Sequence, residues 1–302
     1  MKIKILKKKT LKETERISSR ACLYAAILAL AVLNLSFSWP VRNGRLTSTF
    51  CESRADHFHD GIDIVCPDNK VYPAGDGDLM YCWDRSLFPL ENYPGGGNYV
   101  VIRHGTDICS VYMHLRDGVP LRQVCRTDCV TGTVGNTGHS FSGHLHFSML
   151  DIRKRSSFNP LKEIGAPDDS KAPVISEICL KIGERYVILR DSSHVRLTRH
   201  YPLLVRIEDT ITGREKLGVY RLSAEINGEK ILNTEFGALD YTGRGLISGG
   251  RLFGTIFDEK GYYRIEDIRY REGLNRFSFK ACDYNGNCAQ TTFSIDIDLD
   301  IP

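Results

Sequence analysis

The chain has 302 residues, 42% of them hydrophobic, with 40 Lys and Arg against 37 Asp and Glu. At roughly 150 residues per domain this length predicts two domains, and a net charge of +3 excludes an acidic tail or a disordered polycation as the main theme. Only one apolar stretch approaches membrane length, which excludes a polytopic membrane protein, and the chain is long enough to bury a core without staples.

In chain order, the leader comes first. Residues 1–20 carry eight Lys or Arg and two Glu, a balance of +6, which leaves −3 for residues 21–302. The basic character therefore belongs to the leader, and no nucleic-acid partner is expected of the folded part. From Ala21 to Val41 no residue is charged. A basic block, an apolar run and then small residues is the order of an export signal. Ser36 and Ser38 form a small-x-small pair that predicts cleavage before Trp39. The uncharged run also approaches the ~20 residues that span a bilayer, so residues 1–40 read either as a cleaved signal peptide or as a membrane anchor over 21–41. Both forms export the bulk of the chain, to the periplasm or cell envelope. Cys22 lacks the apolar and small residues that precede a lipid-modified Cys, so no lipoprotein is expected.

The exported part divides at Gly165-Ala-Pro-Asp-Asp-Ser-Lys-Ala-Pro173, which reads as a linker over residues 164–173. The expected domains are thus 41–163 and 174–302. Seven of the nine His lie before the linker, and only His194 and His200 after it. Both halves read as β. Asn98–His104 and Ile108–Leu115 are short apolar runs bounded by Gly, Asp and Pro. In the second half the predicted strands are Tyr186–Arg190, Leu203–Glu208, Gly218–Asn227, Arg251–Phe257, Asn275–Cys282 and Cys288–Asp296. Short strands at this spacing suggest an immunoglobulin-like β-sandwich. Among ten Cys, Cys282 and Cys288 flank the turn Asp-Tyr-Asn-Gly-Asn and are expected to pair across it. Cys51 with Cys66, and Cys125 with Cys129, are weaker candidates.

Two short patterns carry chemistry: His59-Asp-Gly-Ile-Asp63 and His144-Leu-His146. On a strand, side chains at i and i+2 share a face, whereas on a helix they diverge by about 200°. His144 and His146 then point one way, with Leu145 and Phe147 behind. Likewise His59, Gly61 and Asp63 share a predicted strand face, and Gly61 leaves room in front of it. Two adjacent strands would bring His59, Asp63 and His146 together. Two imidazoles and a carboxylate suit Zn²⁺ and leave a fourth position for water, the arrangement of a catalytic site. His57 shares the face of His59 and competes with it on spacing alone. There is no H-E-x-x-H, no Walker A loop and no G-x-S-x-G elbow.

At residues 47–163 the sequence resembles the LytM/lysostaphin-type (M23) metallopeptidases. The likeness runs through Thr47-Ser-Thr-Phe50, Arg54, Phe58-His-Asp-Gly-Ile-Asp-Ile64, Tyr72-Pro-Ala74 and Asp76-Gly77. It continues through Gly97–Gly105, Tyr112-Met-His-Leu115, Val134-Gly-Asn-Thr-Gly138, Ser142-Gly-His-Leu-His-Phe147 and Asn159-Pro160. The resemblance implies zinc ligands at His59, Asp63 and His146, and catalytic, non-ligand roles for His114 and His144. It makes His57 a neighbour of the site. It implies a mainly β fold, an antiparallel peptidase domain with a groove walled by loops such as residues 84–97, followed here by the sandwich domain. The implied activity is zinc-dependent endopeptidase cleavage of peptidoglycan stem peptides or cross-bridges. The alternative is a non-catalytic module that binds the wall or regulates an amidase; a peptidase for a protein substrate is a third reading. Two departures stand out. The stretch between His114 and His144 lacks the usual V-x-x-G-x-x-I spacing and carries Cys125 and Cys129, and Ser148 stands where the family commonly has Glu.

Overall fold

Period-two burial shapes the first half of the chain, for which a computed structural model describes residues 36–301. The expected signal or anchor falls, up to residue 35, outside the described residues. In Ile62–Val65 both isoleucines are fully buried, and in Leu145–Asp151 Leu145, Phe147 and Met149 are fully buried on one face. Burying each such side chain contributes about 1.5–3 kcal/mol. The strand Leu145–Asp151 is the centre of this half. Along one edge it pairs antiparallel with Ile108–Leu115. Along the other its first residues pair with Ile62–Val65 and its last with Ser156–Phe158. The sheet continues through Asn98–His104 and Gly77–Trp83 to Val124–Cys125.

In the opposite direction the same sheet takes strands from the far half of the sequence. Ser156–Phe158 pairs with Ala238–Thr242, which pairs with Gly245–Ser248 and then Arg251–Leu252. The rest of the second half forms a four-stranded sheet and a five-stranded sheet. The long hairpin Gly273–Cys282 and Cys288–Leu299 dominates the latter, and Ser193–Leu197 joins it as a parallel strand. Residues 37–301 pack as one compact unit. The segment 164–173 runs along a seam within it, where Asn285 and Asn287 donate side-chain N–H groups to the carbonyls of Pro167 and Asp169.

Asn98–His104, Ile108–Leu115 and Leu203–Glu208 form with the predicted bounds. Tyr186–Arg190 shifts to Arg185–Ile188, and Gly218–Asn227 shortens to Arg221–Ile226. Arg251–Phe257 is corrected: only Arg251–Leu252 is strand, and Phe253–Ile256 is a single helical turn. The turn is explained by Phe253 and Phe257, four apart, which both pack on Phe58. Cys282 and Cys288 are joined by a disulfide. The other two pairings do not form. Cys51 and Cys125 sit in the apolar core, while Cys66 and Cys129 are partly exposed, and all four are free thiols.

The seam also buries like charge. Asp209 is 4% exposed, and its carboxylate lies within 4.8 Å of those of Asp169 and Asp283. Burial, and then the charge of these neighbours, pushes its carboxyl up to about 6 from 3.8. A raised pKa means that the folded state holds the proton more tightly. The wild-type fold is therefore most stable below about pH 4 with respect to this group, and loses stability as pH rises through about 6. The Asp209→Asn protein should gain roughly 2 kcal/mol over wild type in urea unfolding at about pH 7.5, and the gain should vanish below about pH 4.

Candidate functional site

Register places two of the candidate ligands. In the pairing of Ile62–Val65 with Leu145–Asp151, Asp63 lies directly opposite His146. His59 arrives differently from the sequence expectation. The strand begins only at Ile62, because the edge beyond Phe147 is already occupied by Ser156–Phe158, paired from Met149 onward. The chain must leave the sheet at Gly61, and His59 instead bonds to residues 51–52: its carbonyl accepts from Cys51 N–H and its N–H donates to Glu52 O. Its side chain still reaches the strand pair.

The three donor atoms converge. His59 Nε2 lies 3.0 Å from Asp63 Oδ1 and 3.0 Å from His146 Nδ1, and His146 Nδ1 lies 3.1 Å from Asp63 Oδ1. Second partners set the tautomers. His59 Nδ1–H donates to Thr49 O at 2.8 Å, and His146 Nε2–H donates to Ser148 Oγ at 2.9 Å. Each imidazole therefore turns a lone pair toward the third atom, a carboxylate oxygen. Four-coordinate zinc with bonds of about 2.0–2.1 Å puts its ligand atoms about 3.3 Å apart, so this donor set fits the ion in kind and in spacing.

The surroundings favour positive charge here. Burial alone would raise the Asp63 carboxyl, but the imidazoles of His59 and His146 outweigh it and hold the group far below the usual carboxylate range. Burial opposes charge on His146, yet its hydrogen bonds to Asp60 and Asp63 push it up to about 9. A proton and a metal ion compete for that place. The other oxygen of Asp63 accepts from Arg54 at 2.9 Å, which leaves Oδ1 alone facing the imidazoles.

His114 and His144 stand over this triangle, their rings 4.9 Å apart. His144 follows the i, i+2 rule and shares the face of His146, with its Nε2 3.5 Å from Asp63 Oδ1. His114 breaks the rule. Simple alternation along Ile108–Leu115 would send it to the core side with Tyr112. A bulge intervenes: Asn98 pairs with Leu115 but Val100 with Tyr112, so Met113 and His114 together face a single residue, and His114 takes a φ of 61°. Both then line the groove. His114 Nδ1–H donates to Thr137 O at 2.8 Å, and His144 Nδ1–H donates to Ser142 O at 2.8 Å, so each has Nε2 free to accept a proton. Burial pushes His114 down to about 4, so it is neutral at physiological pH.

The five side chains lie on the floor of a groove of about 940 Å³, between Thr47–Ser48 and the loops containing Gly95–Gly96 and His139–Ser142. His57 lines this groove but stays outside the triangle, its ring 64% exposed and bonded to Asp56. Sequence reasoning missed Asp60, whose Oδ1 lies 3.3 Å from His146 Nε2, and Glu52, which holds Arg54. No spacing rule reaches them, since residues 49–61 follow no regular period.

Gly61 has a steric reason. A Cβ there would lie 2.5 Å from Phe147 O and Ser148 Oγ, and 2.7 Å from His146 Nε2. The Gly61→Ala protein should lose about 1–3 kcal/mol of stability, measured by urea unfolding.

A family model described as peptidase family M23 matches residues 57–160, and a second family model matches residues 172–298. The cell division protein DipM of Caulobacter vibrioides is 31% identical over 115 residues, covering 37% of this chain and 18% of that protein. The peptidoglycan DD-endopeptidase ShyA of Vibrio cholerae is 34% identical over 149 residues, covering 48% and 30%. The murein hydrolase activator NlpD of Escherichia coli is 32% identical over 131 residues, covering 42% and 31%. This chain spans less than a third of the length of each of these relatives. The matched stretch contains both His motifs and the bulge that aims His114, and residues 57–160 are similar in sequence to peptidase family M23.

Proposed function

We propose that this protein is an exported zinc endopeptidase that hydrolyses peptide cross-links of bacterial peptidoglycan in the periplasm or cell envelope, with residues 21–41 serving as signal or inner-membrane anchor. The observation that carries this reading is the geometry of five side chains. Two imidazole lone pairs and a carboxylate oxygen lie 3.0–3.1 Å apart, and two further imidazoles present free Nε2 atoms above them. In this reading His59, Asp63 and His146 hold the metal, and His114 and His144 are catalytic.

A bound zinc ion would acidify a water molecule and polarise the scissile carbonyl. The protein supplies the rest. One of the two imidazoles, His114 or His144, accepts the water proton at Nε2, and the ring that takes it becomes an N–H donor, able to hydrogen-bond the oxyanion or to protonate the leaving amine. Thr137 O and Ser142 O fix both rings in the tautomer this needs. The open groove suits an extended peptide strand, with Gly95 and Gly96 giving one wall little side-chain bulk.

A second reading is a non-catalytic wall-binding or amidase-regulating module, favoured by the likeness to a relative named as a murein hydrolase activator. Presence of all five His and Asp residues favours the enzyme. Digestion of purified sacculi, with products identified by mass spectrometry, separates the two. The protein should convert cross-linked dimers to monomers, and chelation or His146→Ala should abolish this. His114→Ala should cost at least about a hundredfold in rate with zinc still bound. A folded, zinc-loaded protein that releases no peptide would overturn the peptidoglycan endopeptidase reading in favour of the binding module or a protein substrate.

A further inference from the structure

The segment carrying His59 is the one part of the metal centre with no place in a sheet, and four contacts from residues 174–302 hold it. Tyr284 donates its hydroxyl to Phe50 O at 3.0 Å. Gly218 N–H donates to Glu52 Oε1 at 3.0 Å, across 166 residues of sequence, and Glu52 in turn holds Arg54, which holds Asp63. Phe58, next to His59 and 1% exposed, packs edge-on against Phe253 and Phe257. Tyr241, on the strand that extends the first sheet, faces Asp60, which lies against His146 Nε2.

These contacts form two lines to the ligands. One runs Gly218, Glu52, Arg54, Asp63. The other runs Tyr241, Asp60, His146, with Ser148 as the second group on His146 Nε2. Partners that orient a metal-binding imidazole or carboxylate set its tautomer and angle, and losing one typically costs 10–100-fold in metal affinity. Residues 49–61 make few sheet bonds of their own, so their conformation depends on what packs over them.

We infer that the second half of the chain is a positioning element of the metal centre: it fixes residues 49–61 and, through Asp60 and Glu52, orients His146 and Asp63. This rests on the proposed metal site. Tyr241 and Phe253 touch no donor atom and are positioning residues only.

The test uses the full chain with five variants: Tyr241→Phe, Phe253→Ala, Phe253→Leu, Asp60→Asn and the double variant of residues 60 and 241. Zinc affinity is measured by competition with a chromophoric chelator. The visible spectrum of the cobalt-loaded protein at saturation reports ligand geometry, and thermal unfolding of the metal-free protein reports folding. Asp60→Asn should weaken zinc binding about 10–100-fold. Tyr241→Phe should weaken it several-fold alone but add nothing in the Asp60→Asn background. Phe253→Ala should weaken zinc binding and alter the cobalt bands, and Phe253→Leu should restore both. Tyr241→Phe removes one hydroxyl at the surface and should leave metal-free unfolding unchanged, so its effect on zinc does not depend on folding. Wild-type zinc affinity and cobalt bands retained in Tyr241→Phe, Phe253→Ala and Asp60→Asn would overturn the inference while leaving the peptidase reading intact. A wild-type chain that binds no zinc would instead overturn the proposed function beneath it.

Discussion

Everything at the site depends on one antiparallel register, the pairing of Ile62–Val65 with Leu145–Asp151 that sets Asp63 opposite His146. The same register buries Ile62, Ile64, Leu145 and Phe147 on the reverse face. A slip of Ile62–Val65 by one residue would turn Ile62 and Ile64 to the groove and Asp63 into the core, while His146 stayed where Ile108–Leu115 holds its strand. Hydrophobic burial thus enforces the meeting of the polar atoms, although those atoms contribute charge that the interior resists. The site is specified by its back, where the energy is large, more than by its front.

Where the sheet supplies the geometry, the sequence was readable. The H-x-H spacing of His144 and His146 implies a shared face, and Leu145 and Phe147 lie in the core behind them as alternation requires. His59 reached its partners for a different reason than alternation. The edge it was expected to extend is filled by Ser156–Phe158, a competition between strands far apart in sequence that no local pattern expresses. His114 is a sharper case. Its place follows from a bulge and a left-handed backbone, and a period-two reading would have put it on the wrong side. Only its resemblance to a known motif marked it. Glu52 and Asp60 had no signal, since their partners Gly218 and Tyr241 lie in the other half of the chain.

The second half shows the same division. Its hairpin around Cys282 and Cys288 was legible because a turn sequence and two cysteines coincide. The use of that turn was not. Tyr284, Asn285 and Asn287 look outward from a loop in the sequence, yet they bond to Phe50, Pro167 and Asp169 and hold the two halves together. Turn residues chosen for backbone shape thus also serve as the seam's hydrogen-bond donors.

The hairpin of residues 238–248, continued by Arg251–Leu252, has a further consequence for the molecule at high protein concentration. Without it, Ser156–Phe158 would end the sheet as a bare edge, with unpaired N–H and C=O groups able to recruit another chain. The protein pairs that edge with its own later strands and then ends the sheet on a strand of two residues, one of them an arginine, which runs straight into a helical turn. So short and charged a terminus offers little for a neighbouring molecule to extend. The sheet that forms the groove floor is protected from edge-to-edge aggregation by the chain that built it.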